Sequence, residues 1–204
     1  MDAKETFIQI YRDNIRREGA DALLDYLEHK SDFFTAPAPA RYHGACAGGL
    51  CAHSVNVYQC LKAYLERERV REVYGVECSE ESAAIVSLLH DVCKTGCYKK
   101  SFRNVKNDTT GQWERVPTFT FSDPLPYGHG EKSVYLIEHF MRLKTDEAIA
   151  IRWHMGGFDD AVRGGSYAVS DAYNRYPLAV KLHTADLIAT YLMEQGTSSV
   201  ENGH

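Results

Sequence analysis

The strongest constraint on this chain is an adjacent histidine and aspartate, His90 and Asp91, near the end of an apolar segment. A helix over 79–93, rotating by about 100° per residue, would place these side chains on the same face as Ala83 and Ala84. Two small apolar residues on that face indicate that it packs against protein. An unpaired carboxylate or imidazole is costly in such a place, so the doublet needs a partner, and a divalent metal ion is one.

Four other residues could complete a metal site with the doublet. They are His53, His129, His154 and Asp186. His53 lies on the apolar stripe of a predicted helix, and Asp186 belongs to a last helix that is apolar in almost every direction. His129 and His154 lie at predicted helix ends, where side chains from several helices can converge. Each histidine alone is more typical of a core, capping or surface residue, so the set as a whole carries the prediction.

Apolar residues recur at helical spacing over most of the chain, which predicts a mainly helical protein. Two amphipathic helices open the sequence and are separated near Gly19. A later helix follows Ser79 as its N-cap and is expected to run to Cys93, and the last long helix begins at Pro177.

The length of 204 residues and the hydrophobic content of 44% suit one domain with one core. We therefore predict a single domain over 1–204, with a polar, disordered tail at 195–204. The formal net charge of −5 argues against general coating of nucleic acid, so any phosphate-binding surface must be local. No apolar run approaches the roughly 20 residues that cross a bilayer, and the start lacks a secretory-signal layout, which favours a cytoplasmic location without a membrane partner.

The six cysteines form no Cys-x-x-Cys pair, and several lie on apolar faces. They are expected to be reduced thiols packed as small hydrophobic groups. Cys93 and Cys97 lie four residues apart and could instead share a metal ion.

The segment 98–122 differs in composition from the rest of the chain. Two alternating stretches flank the turn sequence Asn107-Asp108-Thr109-Thr110-Gly111, which predicts a small β-hairpin inserted into a helical protein. Its basic residues are Lys99, Lys100, Arg103, Lys106 and Arg115. Such a hairpin is equally typical of a solvated edge whose lysines discourage aggregation and of a flap that contacts phosphate.

The ordered motifs resemble the HD-domain superfamily of metal-dependent phosphohydrolases, whose signature is a histidine, a His-Asp doublet and a later aspartate. The matching stretches are Gly48-Gly49-Leu50-Cys51-Ala52-His53-Ser54, His90-Asp91-Val92-Cys93-Lys94 and His183-Thr184-Ala185-Asp186. The resemblance extends over roughly 48–192. It implies an all-α fold, an HD-domain-like helical bundle, with the β-hairpin as an insertion.

The resemblance also implies a set of ligands. His53, His90, Asp91 and Asp186 would hold one divalent ion, and His129 and His154 match the subgroup in which the Asp91 position bridges to a second ion. Imidazole with carboxylate suits manganese, iron, cobalt, nickel or zinc, so one or two divalent transition metals are the expected cofactors. His183, one turn before Asp186, could orient that carboxylate or simply be buried.

The implied activity is hydrolysis of a phosphate ester, of a nucleotide or an oligonucleotide end, by a metal-activated water. Asp91 and Lys94 are the candidate catalytic residues. Lys94 lies one turn after His90 and is the expected contact to substrate phosphate, although a lysine in the last turn of a helix is also favoured by the helix dipole. Further candidates for substrate binding are Arg41, His43, Lys99 and Arg103. The expected partner is a small phosphorylated substrate or a short single-stranded nucleic acid, cleaved as a phosphomonoester or phosphodiester.

Two other functions fit the same residues. Some members of the superfamily with this expanded histidine set oxidise their substrates, so a di-iron oxygenase is one alternative, distinguished by iron and oxygen consumption. A non-catalytic module that binds nucleotides or regulates a partner is the other, and the complete ligand set argues against it. The sequence favours no particular substrate or oligomeric state.

Overall fold

The computed structural model of the chain describes residues 2–37, 47–74, 78–107 and 109–194. The predicted tail at 195–204 and two predicted substrate-binding residues, Arg41 and His43, lie outside these ranges. The described part is mostly helical and contains a two-stranded antiparallel sheet. Within it, no helix has both the length and the apolar character that a bilayer crossing requires.

The helices and strands follow one another along the chain. Before the hairpin lie α1 (Ala3–Asn14), α2 (Ala20–Asp25), α3 (Gly49–Leu65), α4 (Glu68–Glu72) and α5 (Glu80–Leu89). The hairpin strands are β1 (Tyr98–Lys106) and β2 (Trp113–Phe121). After them lie α6 (His129–Glu138), α7 (Thr145–Trp153), α8 (Asp160–Arg163), α9 (Ala168–Arg175) and α10 (Pro177–Ile188). Two π-helical turns, Tyr26–Lys30 and Ala189–Met193, extend α2 and α10, and short 3-10 turns lie at Val92–Lys94 and Gly156–Phe158.

Three predicted helix starts are confirmed. Gly19 precedes α2 with a φ of 85°, and a side chain there would collide with the backbone carbonyl of Phe140, so only glycine fits. Ser79 caps α5, and its hydroxyl accepts a hydrogen bond from the backbone N–H of Ser82 at 3.1 Å. Pro177 lies in the first turn of α10.

The predicted end of α5 at Cys93 is wrong, because the α-helix stops at Leu89. The ring of His90 donates from Nδ1–H to the backbone carbonyl of Ser87 at 2.7 Å. This bond occupies a carbonyl that a continuing helix would use for its own N–H groups. Asp91 then has φ −107° and ψ 14°, and a 3-10 turn follows it. The doublet therefore lies at a break between two helical segments, where both side chains can turn toward neighbouring helices.

A cluster of buried apolar side chains joins the helices. α3 packs against α1, α5 and α10, and α7 packs against α6 and α10. The members of this apolar cluster include Phe7 of α1, Leu61 of α3, Ile85 of α5, Ile137 of α6 and Leu182 of α10. Because these helices surround one core, polar residues on their inner faces and ends are brought close to one another.

The predicted β-hairpin is confirmed. Its strands pair in antiparallel register, from Tyr98 opposite Phe121 to Lys106 opposite Trp113. Tyr98 packs against the core, whereas most of the other strand residues are exposed. The hairpin therefore joins the helices at the Tyr98 end, which follows the doublet closely in the chain.

A buried ion pair fixes the helices that carry the doublet. The carboxylate of Glu147, with no exposed side-chain surface, accepts hydrogen bonds from the Arg17 guanidinium at 2.7 and 2.9 Å and from the Ser82 hydroxyl at 2.6 Å. Burial raises the pKa of Glu147, but the bonds from Arg17 and Ser82 outweigh burial and lower it. Glu147 thus links α7 to α5 and to the connection between α1 and α2.

Replacing Glu147 with alanine should destabilise the fold by about 3 kcal/mol, because the Arg17 guanidinium would lose its buried partner. Urea unfolding of the two proteins measures the difference, and Glu66→Ala, at an exposed position, is the matched control. A carboxylate with a lowered pKa contributes stability that is fully present above the ordinary glutamate pKa of about 4.3 and is lost as the pH falls through the lowered value. The difference should therefore shrink in acid, and a difference that stays constant between neutral and acid pH would contradict this role.

Candidate metal centre

The structure brings together six of the residues that the sequence predicted for a metal site. They are His53 of α3, His90 and Asp91 after α5, His129 at the start of α6, His154 after α7 and Asp186 of α10. His90 and His154 are fully buried and Asp91 is nearly so, while His129 and Asp186 are partly exposed. Five helices therefore direct imidazole and carboxylate groups to one place in the interior.

The carboxylate of Asp91 lies in the middle of this cluster, and its two oxygens face different histidines. Oδ2 is 3.5 Å from His90 Nε2 and 3.7 Å from His53 Nε2. Oδ1 is 2.8 Å from His129 Nε2 and 3.6 Å from His154 Nε2. One carboxylate therefore connects two pairs of imidazole nitrogens.

Three sets of side chains within this region place their ligand atoms within 4.8 Å of one another. The sets are His53, His90 and Asp186; His90, Asp91 and His154; and Asp91, Cys93 and His129. In the first set, His53 Nε2 lies 3.2 Å from Asp186 Oδ1 and 3.3 Å from His90 Nε2. Imidazole, carboxylate and thiol groups at this spacing could hold a metal ion.

Hydrogen bonds on the outer ring nitrogens orient three of the histidines. His90 and His154 each donate from Nδ1–H to the backbone carbonyl three residues earlier, at 2.7 and 2.6 Å. His53 donates from Nδ1–H to the Glu194 carboxylate at 2.9 Å. The Nε2 atom of each ring is thereby directed into the cluster, and histidines that bind metals are commonly oriented in this way.

One ring nitrogen of His154 indicates that the cluster suits a cation. Its Nε2 atom is buried and has no hydrogen-bond partner among the described residues. Asp91 Oδ1, at 3.6 Å, is beyond hydrogen-bond distance. A buried imidazole nitrogen left in this state is costly unless it binds something else. Since imidazole and carboxylate are ligands that divalent transition metals prefer, the residues present fit such an ion.

Burial and charge act in opposite directions on the ionisable groups of the cluster. Burial lowers the pKa of His90 to about 3, so this ring is neutral at physiological pH. Burial also lowers the pKa of His53, but carboxylates, chiefly that of Asp186, outweigh it and raise the pKa to about 9. Burial raises the pKa of Asp91, whereas Lys94 and the neighbouring histidines hold it well below its usual range. Asp91 is therefore ionised, as a metal ligand must be.

Lys94, the predicted phosphate contact, lies directly beside the cluster. Its Nζ is 2.5 Å from Asp91 Oδ2, and 16% of its side chain is exposed. Burial lowers the pKa of this ammonium group, but the ion pair with Asp91 outweighs burial and raises it. Lys94 is therefore a cation next to the central carboxylate, with part of its side chain at the surface.

The other predicted substrate-binding residues within the described ranges lie on the hairpin. Lys99 and Arg103 are exposed on β1, on the face opposite Tyr98. Their side chains are not brought into the six-residue cluster. Cys97 is likewise separate from it, because its thiol lies 3.3 Å from Lys132 Nζ and does not join Cys93 in any ligand set of the described residues.

Two residues next to the cluster were missed by the sequence analysis in the roles they have here. Cys93 Sγ lies 3.5 Å from His129 Nδ1, and Cys93 groups with Asp91 and His129 rather than with Cys97, which the sequence had offered as an alternative. Glu194 accepts from His53 and also from the side-chain amide of Asn56 at 3.1 Å. No motif marks Glu194, because its position depends on the π-helical turn that extends α10.

Contacts between helices set the positions of His129 and His154. A side chain at Gly130 would collide with the backbone carbonyl of Arg152, so glycine allows α6 to approach the end of α7 closely. With this approach, the centres of the His129 and His154 rings lie 5.1 Å apart. His183 donates from Nδ1–H to the His154 carbonyl at 2.6 Å, so it supports the turn after α7 rather than orienting Asp186. The Asp186 carboxylate instead accepts a hydrogen bond from the Thr190 hydroxyl at 3.2 Å.

Fold and cluster together define a mostly helical protein whose buried histidine, aspartate and cysteine side chains could hold a metal ion. Comparisons of the chain with protein-family models, with curated proteins and with solved structures found no match. The function is therefore argued from the chemistry of the cluster.

Replacing Glu194 with glutamine should weaken metal binding by about 10- to 100-fold, because a neutral amide orients the His53 ring less firmly than a carboxylate does. Competition between the purified protein and a chelator for cobalt or zinc measures the affinity. Glu66→Gln, on the exposed surface after α3, should leave it unchanged. Equal affinities for wild type and Glu194→Gln would show that this carboxylate does not support the site.

Proposed function

We propose that this protein is a metal-dependent phosphohydrolase of the HD-domain superfamily, acting on the phosphate ester of a nucleotide or of an oligonucleotide end. The observation that carries the proposal is the Asp91 carboxylate, which connects two pairs of imidazole nitrogens beside the Lys94 ammonium. The order of the motifs along the chain supports the same class.

His53, His90, Asp91 and Asp186 would hold the first divalent ion, which is manganese, iron, cobalt, nickel or zinc. His129 and His154 would hold a second, with Asp91 shared between the two positions. A bound ion supplies a Lewis acid and a water that is activated near neutral pH, the two things that hydrolysis of a phosphate ester requires.

The remaining requirements are met by side chains around the cluster. His90 and His154 are fully buried, so that side of the cluster is closed to water and substrate. His129, Lys94 and Asp186 are partly exposed, so substrate would approach from an exposed side of the cluster. On this side the Lys94 ammonium can neutralise charge that develops on the phosphoryl oxygens during cleavage.

A di-iron oxygenase is a second candidate, and the double histidine arrangement around Asp91 favours it as well. Two iron ions sharing one carboxylate would use the same six residues. Iron content with oxygen consumption and without phosphate release would select this function. A nucleotide that stabilises the protein against heat without any turnover would select a binding module instead.

Replacing Asp91 with alanine should remove both bound metal and hydrolysis, because this carboxylate contacts both histidine pairs. Metal content by mass spectrometry and release of nitrophenol from mono- and bis-nitrophenyl phosphate measure the two effects. Asp25→Ala, at an exposed position on α2, is the matched control. Full hydrolysis by the Asp91→Ala variant would contradict the proposal.

Replacing Lys94 with alanine should lower kcat by about 100- to 1,000-fold while metal remains bound, because Lys94 acts on the phosphoryl group. The same ester assay and metal analysis separate the two quantities, and Lys62→Ala on the surface of α3 is the control. An unchanged kcat would mean that Lys94 serves only to balance the charge of Asp91.

A further inference from the structure

The two strands of the hairpin divide their side chains unequally between its two faces. Alternate residues of a strand point to the same side, and the register places Tyr98 opposite Phe121 and Lys106 opposite Trp113. All aromatic residues of β1 and β2 therefore share one face, which we call the aromatic face: Tyr98, Phe102, Trp113, Phe119 and Phe121. The opposite face of these strands carries serine, valine, threonine and charged residues.

Much of the aromatic face is exposed. The exposed fractions of Trp113, Phe121 and Phe102 are 71%, 59% and 55%. Aromatic side chains dominate buried cores and binding interfaces, and a contiguous group of them at a surface marks an interaction site.

Every charged residue of the aromatic face is a cation. Lys100, Lys106 and Arg115 lie among the rings, and the Arg115 guanidinium is 4.3 Å from the centre of the Phe102 ring. The single carboxylate of the two strands, Glu114, belongs to the opposite face. This concentration of positive charge occurs in a chain whose formal net charge is −5.

We propose that the aromatic face binds single-stranded nucleic acid. Bases would stack on the rings, and Lys100, Lys106 and Arg115 would pair with backbone phosphates, which is the combination that single-strand-binding surfaces use. A protein partner that covered the rings with apolar groups would leave the three cations unpaired and desolvated. In a duplex the faces of the bases are stacked on one another and closed to the rings, so a single strand is the form that fits.

The aromatic face also begins close to the candidate metal centre. β1 starts at Tyr98, four residues after Lys94, and nine residues of strand extend for about 30 Å. A single strand that lies along the face would direct one end toward Lys94 and Asp91. In naming an oligonucleotide end as the substrate, this inference rests on the proposed function, whereas binding to the face does not depend on turnover.

The test is binding of a fluorescein-labelled oligothymidylate of about 12 nucleotides, a length within the range of single-strand sites. Fluorescence anisotropy gives the affinity of the full chain, and quenching of tryptophan fluorescence reports contact with Trp113, since Trp153 is buried. Replacing both Phe102 and Trp113 with alanine should weaken binding about tenfold or more. Phe102→Tyr with Trp113→Phe keeps the rings and should preserve most of the affinity, which separates stacking from loss of the hairpin.

A matched pair of variants tests the role of charge. Lys100→Ala with Lys106→Ala removes two cations from the aromatic face. This pair should lower the slope of log Kd against the logarithm of the salt concentration by about 1.4. Lys99→Ala with Arg103→Ala removes two cations from the opposite face and should lower it much less. Equal effects of the two pairs would overturn the inference, because they would indicate unspecific attraction to the whole hairpin.

Two further outcomes would also overturn it. One is the absence of any oligothymidylate binding at low salt; the other is binding of the same face to vesicles of phosphatidylcholine and phosphatidylserine with no binding of oligonucleotide. Failure of the inference differs from failure of the proposed function. Nitrophenyl ester hydrolysis with no oligonucleotide binding would reject only the inference, and face-dependent binding without any ester hydrolysis would reject only the function.

Discussion

The contact between Asp91 and its surrounding histidines is the interaction on which the rest of the structure depends. A buried carboxylate and several buried imidazoles are unfavourable in an apolar interior unless each is bonded to another group. Here five helices supply those groups, and each helix also contributes apolar side chains to the common core. Packing and polar chemistry therefore constrain the same elements, because a shift of α3, α7 or α10 would disturb both.

Two kinds of charged contact occur in the interior, one around Glu147 and the other around Asp91. The Glu147 carboxylate accepts hydrogen bonds from fixed donors of the protein, Arg17 and Ser82, which suits a structural role. Around Asp91 the contacts are different, since the His154 Nε2 has no hydrogen-bond partner within the described ranges and Lys94 is partly exposed. A cluster with an unsatisfied imidazole nitrogen and a partly exposed ammonium group is suited to bind a metal ion and an anionic ligand.

Several parts of the site could be predicted from the sequence. The apolar surroundings of His53, the Ala83 face of the doublet and the apolar helix around Asp186 each indicated a polar group that needed a partner, and the structure brings these residues together. The hairpin was also predictable, because its alternation and its turn residues are local properties. Its aromatic face is not a local property, because it depends on the register between the strands, which aligns Tyr98 with Phe121.

Other features depend on geometry that no local pattern encodes. The helix before the doublet ends at Leu89 because the His90 ring bonds to a backbone carbonyl, and the contact of Glu194 with His53 depends on a π-helical turn after α10. Cys93 groups with His129 because α6 packs against the 3-10 turn after α5, where the backbone N–H of Cys93 donates to the Ser133 hydroxyl at 3.2 Å.

The central claim is that these side chains form a metal site, and X-ray absorption of the protein loaded with cobalt or zinc tests it most directly. The account predicts at least one tightly bound ion per chain, with imidazole nitrogens and carboxylate oxygens at about 2.0–2.2 Å. A protein that retains no metal, or an ion whose first shell lacks imidazole, would contradict it.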